Sequence, residues 1–131
     1  MKRVIKFRAI SYRTCDFVFG SLVEDKEEFF ILSDGEKFHV VKESIDQFTG
    51  MIDGYGVEIY ESDVLRRIGK GTNEYFVYFD NGLFLLQNQF GRWGTLEKYF
   101  EICISFDLKA EVIGNFYETP ELCEHALPNQ S

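Results

Sequence analysis

Apolar and charged residues alternate near the start of the chain, which is the pattern of a half-buried β-strand. Ile5, Phe7 and Ala9 share one face of such a strand. Lys6 and Arg8 share the opposite face. The alternation therefore predicts a strand with an apolar inner face and a solvated basic outer face.

Two later segments contain apolar runs joined by a short turn, and each predicts a β-hairpin. The turn of the first falls at Asp34 and Gly35, and the turn of the second falls at Asn81 and Gly82. Asn-Gly between apolar runs is a strong hairpin signal, because both residues tolerate the positive φ that a type I′ turn requires.

The apolar spacing becomes helical after residue 95. Leu96, Tyr99 and Phe100 recur at the spacing of one helical face. Thr95 precedes them and can accept a hydrogen bond from a free amide of the first turn. The pattern predicts a short helix over residues 95–101.

A second helix is predicted at the C-terminus, with Thr119 as its cap and Pro120 in its first position. The elements together predict a mainly β fold with one or two short helices, the last at the C-terminus. Strands this short favour a small antiparallel barrel or a coiled sheet, and an SH3-like barrel is one such form. A length of 131 residues predicts a single domain over residues 1–126 and a frayed tail at 127–131.

The composition agrees with a sheet-rich globular protein. The chain contains 14 Phe, 7 Tyr and 1 Trp, which favour pleated, half-buried surfaces. The run from Tyr75 to Phe79 places aromatic side chains on both faces of a strand. One face must meet the core, and the other must meet a helix or a partner.

The net charge of −8 disfavours nucleic acid as a partner, because an acidic protein repels polyanions. Basic residues are nevertheless concentrated at the N-terminus and after residue 65. An alternative hypothesis is therefore a small β-barrel that binds nucleic acid through these basic side chains. The candidate contacts are Lys6, Arg8, Arg66, Arg67 and Lys70.

Cys15, Cys103 and Cys123 are widely spaced, and no pair has the spacing of a zinc or redox site. Buried, unreactive thiols are expected. No signal sequence or membrane-spanning apolar run is present, so we expect a cytoplasmic protein with no membrane partner.

Glycines and acids crowd together in residues 48–64, which raises the question of a metal or phosphate site. The oxygen spacing of a calcium loop fails from Asp53 onward, and the phosphate-loop motif is missing. The alternative is a structural turn, with positive φ at the glycines, an Asx-turn at one acid and a cap before the next strand at another. The residues assigned to these turns are Gly50, Asp53, Gly54, Gly56 and Asp63.

No catalytic constellation is visible. Glu58, Glu61 and Asp63 are the candidates for an acid–base pair or a Mg²⁺ site, but acid–base catalysis needs a pocket and divergent pKa values, and the sequence indicates neither. His39 and His125 lack partners at ligand spacing. We expect no enzyme activity, no cofactor and no metal.

Four separated motifs give the chain a family resemblance. They are "IKFRA" at 5–9, "QFTGMIDGYGVEIYESDV" at 47–64, "VYFDNG" at 77–82 and "EVIGNFYETPEL" at 111–122. In this order they resemble the YopX family, small proteins found mainly in bacteriophages and prophages. The resemblance implies a β-rich fold and supplies no catalytic residue.

The chain departs from that family pattern at three places. Ile10 replaces the usual Trp, "GYGVEI" at 54–59 replaces "KNGKEI", and Ser62 replaces a Gly. The serine predicts that this turn does not need a positive φ. The resemblance and the acidic charge together favour a non-enzymatic accessory protein that binds a host or phage protein, with self-association into a homo-oligomer as an open alternative.

Overall fold

The computed structural model describes residues 4–68 and 74–119, and the chain divides into two compact units, residues 1–50 and 51–131. In the described residues the strands form two antiparallel sheets, and one α-helix accompanies them. The prediction of a mainly β fold is therefore confirmed.

The first unit is built from neighbouring antiparallel strands. These are β1 (Phe7–Ile10), β2 (Phe17–Asp25), β3 (Glu28–Ser33), β4 (Glu36–His39) and β5 (Asp46–Ile52), of which the last runs across the boundary at residue 50. Their order within this unit is β4-β3-β2-β1-β5. A short 3-10 helix, Lys42–Ser44, precedes β5.

Two tight turns connect β2, β3 and β4. Asp34 and Gly35 have φ of 49° and 79°, as a type I′ turn requires, and the predicted hairpin is confirmed. Lys26 and Glu27 also have positive φ, 52° and 67°. Neither residue type favours that region, so nothing in the sequence marked this second turn.

The core of the first unit contains Ala9, Ile31 and Val40. A bridge between Ser11 and Val40 joins the end of β1 to the end of β4, which are separated in the strand order by β2 and β3. The sheet therefore curls at this end, as a coiled sheet does.

The second unit contains the other sheet and the helix. Its elements are β6 (Glu58–Tyr60), β7 (Asp63–Ile68), β8 (Glu74–Asp80), β9 (Leu83–Asn88), β10 (Gly91–Thr95), α1 (Leu96–Ser105) and β11 (Lys109–Asn115). The sheet has the order β10-β9-β8-β7-β11. Asn81 and Gly82 have φ of 50° and 79° and join β8 to β9, which confirms the second hairpin.

Helix α1 begins where the sequence predicted. The Thr95 hydroxyl accepts a hydrogen bond from the Lys98 amide at 3.0 Å. Leu96, Tyr99 and Cys103 are buried in the core that α1 forms with the sheet. The helix continues to Ser105, four residues beyond the predicted end.

A barrel is not formed by the described strands, so that part of the fold prediction is wrong. Closure of the second sheet would require β10 to pair with β11, but both are edge strands of that sheet. Within the described residues the last element is β11. The helix predicted to begin at Pro120, after Thr119 as its cap, falls beyond those residues, as does the predicted tail at 127–131.

Candidate functional site

Asp53 is at the centre of the glycine-rich segment, and its side chain is 4% exposed. Its Oδ1 accepts hydrogen bonds from the amides of Tyr55 at 2.8 Å and Val57 at 2.9 Å. Its Oδ2 accepts a hydrogen bond from the amide of Val112 in β11 at 3.0 Å. Both carboxylate oxygens therefore bind backbone, and the predicted Asx-turn is confirmed.

The glycines of this segment serve two different needs. Gly50 and Gly56 have φ of 87° and 84°, as predicted. Gly54 does not have a positive φ, and that part of the prediction is wrong. A Cβ at Gly54 would lie 2.9 Å from the Cβ of Lys109, so only glycine allows the chain to approach β11 this closely.

Asp63 is buried, and its Oδ2 accepts a hydrogen bond from the Tyr60 amide at 2.8 Å. It thereby caps the turn that precedes β7, as the sequence predicted. Ser62 within that turn has φ of 70°, so the expectation that this position does not need positive φ is wrong. The Ser62 amide donates to Val77 O at 2.8 Å, and its carbonyl accepts from the Phe116 amide at 3.0 Å.

The neighbouring carboxylates have separate local partners. Glu58 accepts a hydrogen bond from the Tyr60 hydroxyl at 3.3 Å, whereas Asp63 accepts one from the Tyr60 backbone. In the described part of the chain, no group of three His, Cys, Asp or Glu side chains is placed to hold a metal ion. The carboxylates of Asp53 and Asp63 thus hold backbone amides of this segment.

Arg8 is buried, contrary to the prediction of a solvated basic face. Its strand, β1, lies between β2 and β5, and the register places Asp46 directly opposite Arg8. The Arg8 Nε donates to Asp46 Oδ2 at 3.1 Å, and the guanidinium lies 4.5 Å from the Phe17 ring. Lys6 precedes the strand, with its Nζ 5.2 Å from the Phe48 ring.

The other predicted basic contacts lie in the second unit. Arg66 is 4.0 Å from Glu111 on the neighbouring strand. Arg67 donates to the Tyr75 hydroxyl at 3.3 Å, and its guanidinium lies 5.7 Å from the Tyr99 ring. Lys70 lies outside the described residues.

An aromatic cluster fills the core below Arg67. Tyr75, Trp93 and Tyr99 pack with ring centroids 5.1 to 5.7 Å apart. Burial raises the pKa of the Tyr99 phenol, and no described residue accepts or donates a hydrogen bond at its hydroxyl. Burial likewise raises the pKa of the Cys103 thiol, although the charge of Arg67 opposes the shift.

The cysteines are not all alike. Cys103 is buried and held as a neutral thiol, which agrees with the expectation of an unreactive side chain. Cys15 is exposed, so the same expectation is wrong for this residue. Cys123 lies outside the described residues.

Two large apolar side chains stand exposed where α1 ends. Asp107 has φ of 53°, its amide donates to Ile104 O at 3.3 Å, and the Leu108 amide donates to Cys103 O at 2.8 Å. These two bonds form a Schellman motif that reverses the chain. Leu108 turns into the core, whereas Ile104 and Phe106 remain 79% and 65% exposed.

We call Ile104 and Phe106 the helix-end patch. The sequence reading missed it because the helix was predicted to stop at residue 101. A longer helix would have shown that Ile104 directly follows the buried position Cys103 and so points away from the buried stripe. Among the described residues, neither side chain belongs to the hydrophobic core cluster of the second unit.

No helix in the described ranges is long and apolar enough to span a bilayer. A family model described as YopX protein matches residues 6–124. The fold is similar to the crystal structure of protein EF1440 from Enterococcus faecalis, with a TM-score of 0.60 and 22% sequence identity, over 92% of this chain and 99% of that one. At this identity the likeness shows the fold alone. No curated protein sequence gave a significant match.

Proposed function

We propose that this chain, which belongs to the YopX family, is a non-enzymatic protein-interaction module of phage or prophage origin that acts in the cytoplasm. The family match confirms the resemblance seen in the sequence motifs. The observation that carries the proposal is the helix-end patch. We propose that Ile104 and Phe106 anchor the chain to a partner protein.

Exposing the two apolar side chains of the helix-end patch to water is unfavourable in free energy. Burying an exposed Ile or Phe side chain contributes about 1.5–3 kcal/mol, so each of these two side chains can anchor a protein contact. Single exposed apolar residues are common on protein surfaces and need no explanation. Here both lie within the last residues of α1 and its cap, two positions apart in the sequence, so the backbone that carries them is fixed before a partner binds.

The charges around the helix-end patch indicate the kind of partner. Glu101 lies one helical turn before Ile104, and Asp107 follows Phe106; both are exposed. An acidic rim suits a partner whose apolar pocket has basic residues at its edge, because complementary charges speed and orient association. The net charge of −8 acts in the same sense over longer distances.

The absence of enzyme activity is part of the same proposal. Asp53 and Asp63 are the acids that most suggest catalysis. Their carboxylate oxygens accept hydrogen bonds from backbone amides, which supports the proposal. A carboxylate held in this way positions a turn.

Nucleic acid is the weaker alternative. Arg8 is buried against Asp46, so it is not positioned to contact a phosphate in this conformation. Arg67 is engaged with Tyr75 inside the second unit. The proposal therefore favours protein over nucleic acid.

Affinity capture from bacterial lysate tests the proposal, with the double variant I104E/F106E as the probe of the helix-end patch. Both residues are exposed, so the variant should fold, which circular dichroism can verify. F90E is the matched control, because Phe90 is 83% exposed and lies in the turn between β9 and β10.

We expect wild type and F90E to retain the same captured protein, or the same homo-oligomer by light scattering, and I104E/F106E to lose it. The same captured set with all three chains would contradict the assignment of the patch. A wild-type chain that recovers only itself and stays monomeric would contradict the interaction role altogether.

A further inference from the structure

A cavity of about 320 Å³ opens to solvent in the first unit, where the end of β1 meets the end of β4. It is lined by Ser11, Tyr12, Arg13, Lys37, Phe38 and His39. The backbone around it is fixed, because the Tyr12 amide donates to His39 O at 3.0 Å and the Val41 amide donates to Ile10 O at 2.9 Å. The volume falls within the range of small-molecule sites, which starts near 300 Å³.

Aromatic rings form one wall of the cavity. The Tyr12 and His39 rings have centroids 4.7 Å apart and are tilted by 44°, and His39 in turn lies 5.1 Å from the Phe30 ring at a tilt of 32°. Tyr12 and His39 are the exposed members of this tilted cluster, and Tyr12 is 59% exposed. A further planar ring can therefore pack on the exposed Tyr12 ring from the solvent side.

Two cations border the same cavity, each lying over an aromatic ring. The Arg13 guanidinium lies 4.9 Å from the Phe38 ring, and the Lys37 Nζ lies 4.2 Å from the Phe30 ring. These contacts restrict side chains that would otherwise move freely. The cavity thus combines two positioned positive charges with a stacking surface, in a protein whose net charge is −8.

The acids near these cations are exchangeable partners. Arg13 pairs with Glu36 at 2.6 Å and Lys37 lies 3.9 Å from Asp25, but all four side chains are largely in solvent. Exposed pairs of this kind contribute little free energy, so a ligand anion can replace or share them. Arg13 also has further donors besides the one that binds Glu36.

We propose that this cavity binds a small ligand that joins a planar base to a phosphate, of the nucleoside monophosphate class. The base stacks on Tyr12 and His39, and the phosphate accepts hydrogen bonds from Arg13 and Lys37. Aromatic stacking recognises the planar base, and charge-assisted hydrogen bonds recognise the phosphate. The site is separate from the helix-end patch and does not depend on the proposed protein partner.

A mononucleotide suits the site better than a nucleic-acid strand. A strand would bring many phosphates toward an acidic chain, whereas a mononucleotide brings one phosphate to two cations.

Isothermal titration calorimetry of the full chain tests the proposal, with AMP and UMP as ligands and with adenosine and inorganic phosphate as its two halves. The variants are Y12A, which removes the stacking ring, and K37Q, which removes one charge. K42Q is the matched control, because the Lys42 Nζ lies 5.6 Å from the Phe29 ring and does not line the cavity.

We expect a mononucleotide to bind more tightly than either half, Y12A and K37Q each to weaken it by about tenfold or more, and K42Q to leave it unchanged. No heat with either nucleotide at millimolar concentration would overturn the proposal. Binding that both cavity variants leave intact would also overturn it, and so would a single-stranded oligonucleotide that binds more tightly than its mononucleotide.

Discussion

Asp53 and Val112 are 59 residues apart in the sequence, and the Val112 amide donates a hydrogen bond to Asp53 Oδ2 at 3.0 Å. The same carboxylate organises its own turn through the amides of Tyr55 and Val57. One side chain therefore defines a local turn and ties that turn to strand β11. Removing it should disturb both.

D53A is expected to destabilise the chain by about 2–4 kcal/mol, because buried amides lose their acceptor. Urea unfolding followed by circular dichroism measures the change. D16A is the control, since Asp16 is an exposed acid outside this turn, and it should change the free energy of unfolding by less than about 0.5 kcal/mol. Equal midpoints for D53A and wild type would show that the carboxylate is not structural.

S62G is expected to stabilise the chain by about 1 kcal/mol, because Ser62 has φ of 70° and glycine adopts that region without a steric penalty. S105G is the contrasting variant: Ser105 ends α1 and is exposed, and a glycine there should be neutral or destabilising. The urea midpoints of S62G, S105G and wild type measure these changes in stability. A destabilised S62G would contradict the argument from backbone strain.

Arg8 and Arg13 allow a buried ion pair to be compared with an exposed one. R8A should cost about 3–5 kcal/mol, because the buried Asp46 carboxylate loses its guanidinium partner. R13A should cost less than about 1 kcal/mol, because Arg13 and Glu36 are both mostly in solvent. Similar losses in the two variants would mean that Arg8 is not buried in solution.

The buried phenol of Tyr99 predicts a loss of stability in alkaline solution. The pKa of this phenol is raised in the folded chain, so the folded state binds the proton more tightly than the unfolded state does. The resulting contribution to the free energy of unfolding is fully present below the ordinary pKa of tyrosine. It is lost as the pH rises from there through the raised pKa of the folded state. Y99F removes this titration and also an unpaired buried hydroxyl. We expect its free energy of unfolding to equal or exceed that of wild type at neutral pH and to fall less steeply above pH 10.

Unfolding in urea at several pH values measures both effects. The raised pKa of the Cys103 thiol acts in the same direction, so some alkaline loss should remain in Y99F. Identical pH dependences for Y99F and wild type would contradict the assignment to Tyr99.

The features that the sequence predicted well are local ones. Asn81 and Gly82 carry their own turn preference, and Thr95 needs only an amide three residues later. The Lys26–Glu27 turn escaped prediction because these side chains do not favour positive φ, and pairing of β2 with β3 imposes it.

The features that the sequence could not predict depend on distant partners. Arg8 was predicted to be solvated because it alternates with apolar residues. That pattern is the same whether the side chain is in water or pairs with Asp46, which is 38 residues away. Gly54 was predicted to be a turn glycine because it lies among other glycines. Its actual constraint, the close approach of Lys109, comes from a residue distant in the sequence. The helix-end patch depends on the residue at which the Schellman motif ends α1. Helix propensity alone does not fix that residue.

Amide resonances in a two-dimensional ¹⁵N NMR spectrum test most directly whether the glycine-rich segment, residues 48–64, only shapes the backbone or also binds an ion. Ca²⁺, Mg²⁺, Mn²⁺ and inorganic phosphate are titrated separately, while the amides of Tyr55, Val57 and Val112 report on the Asp53 carboxylate. We predict that these three signals neither shift nor broaden selectively. A saturable shift, or selective broadening by Mn²⁺, at these amides would show that the segment binds an ion and would contradict the account.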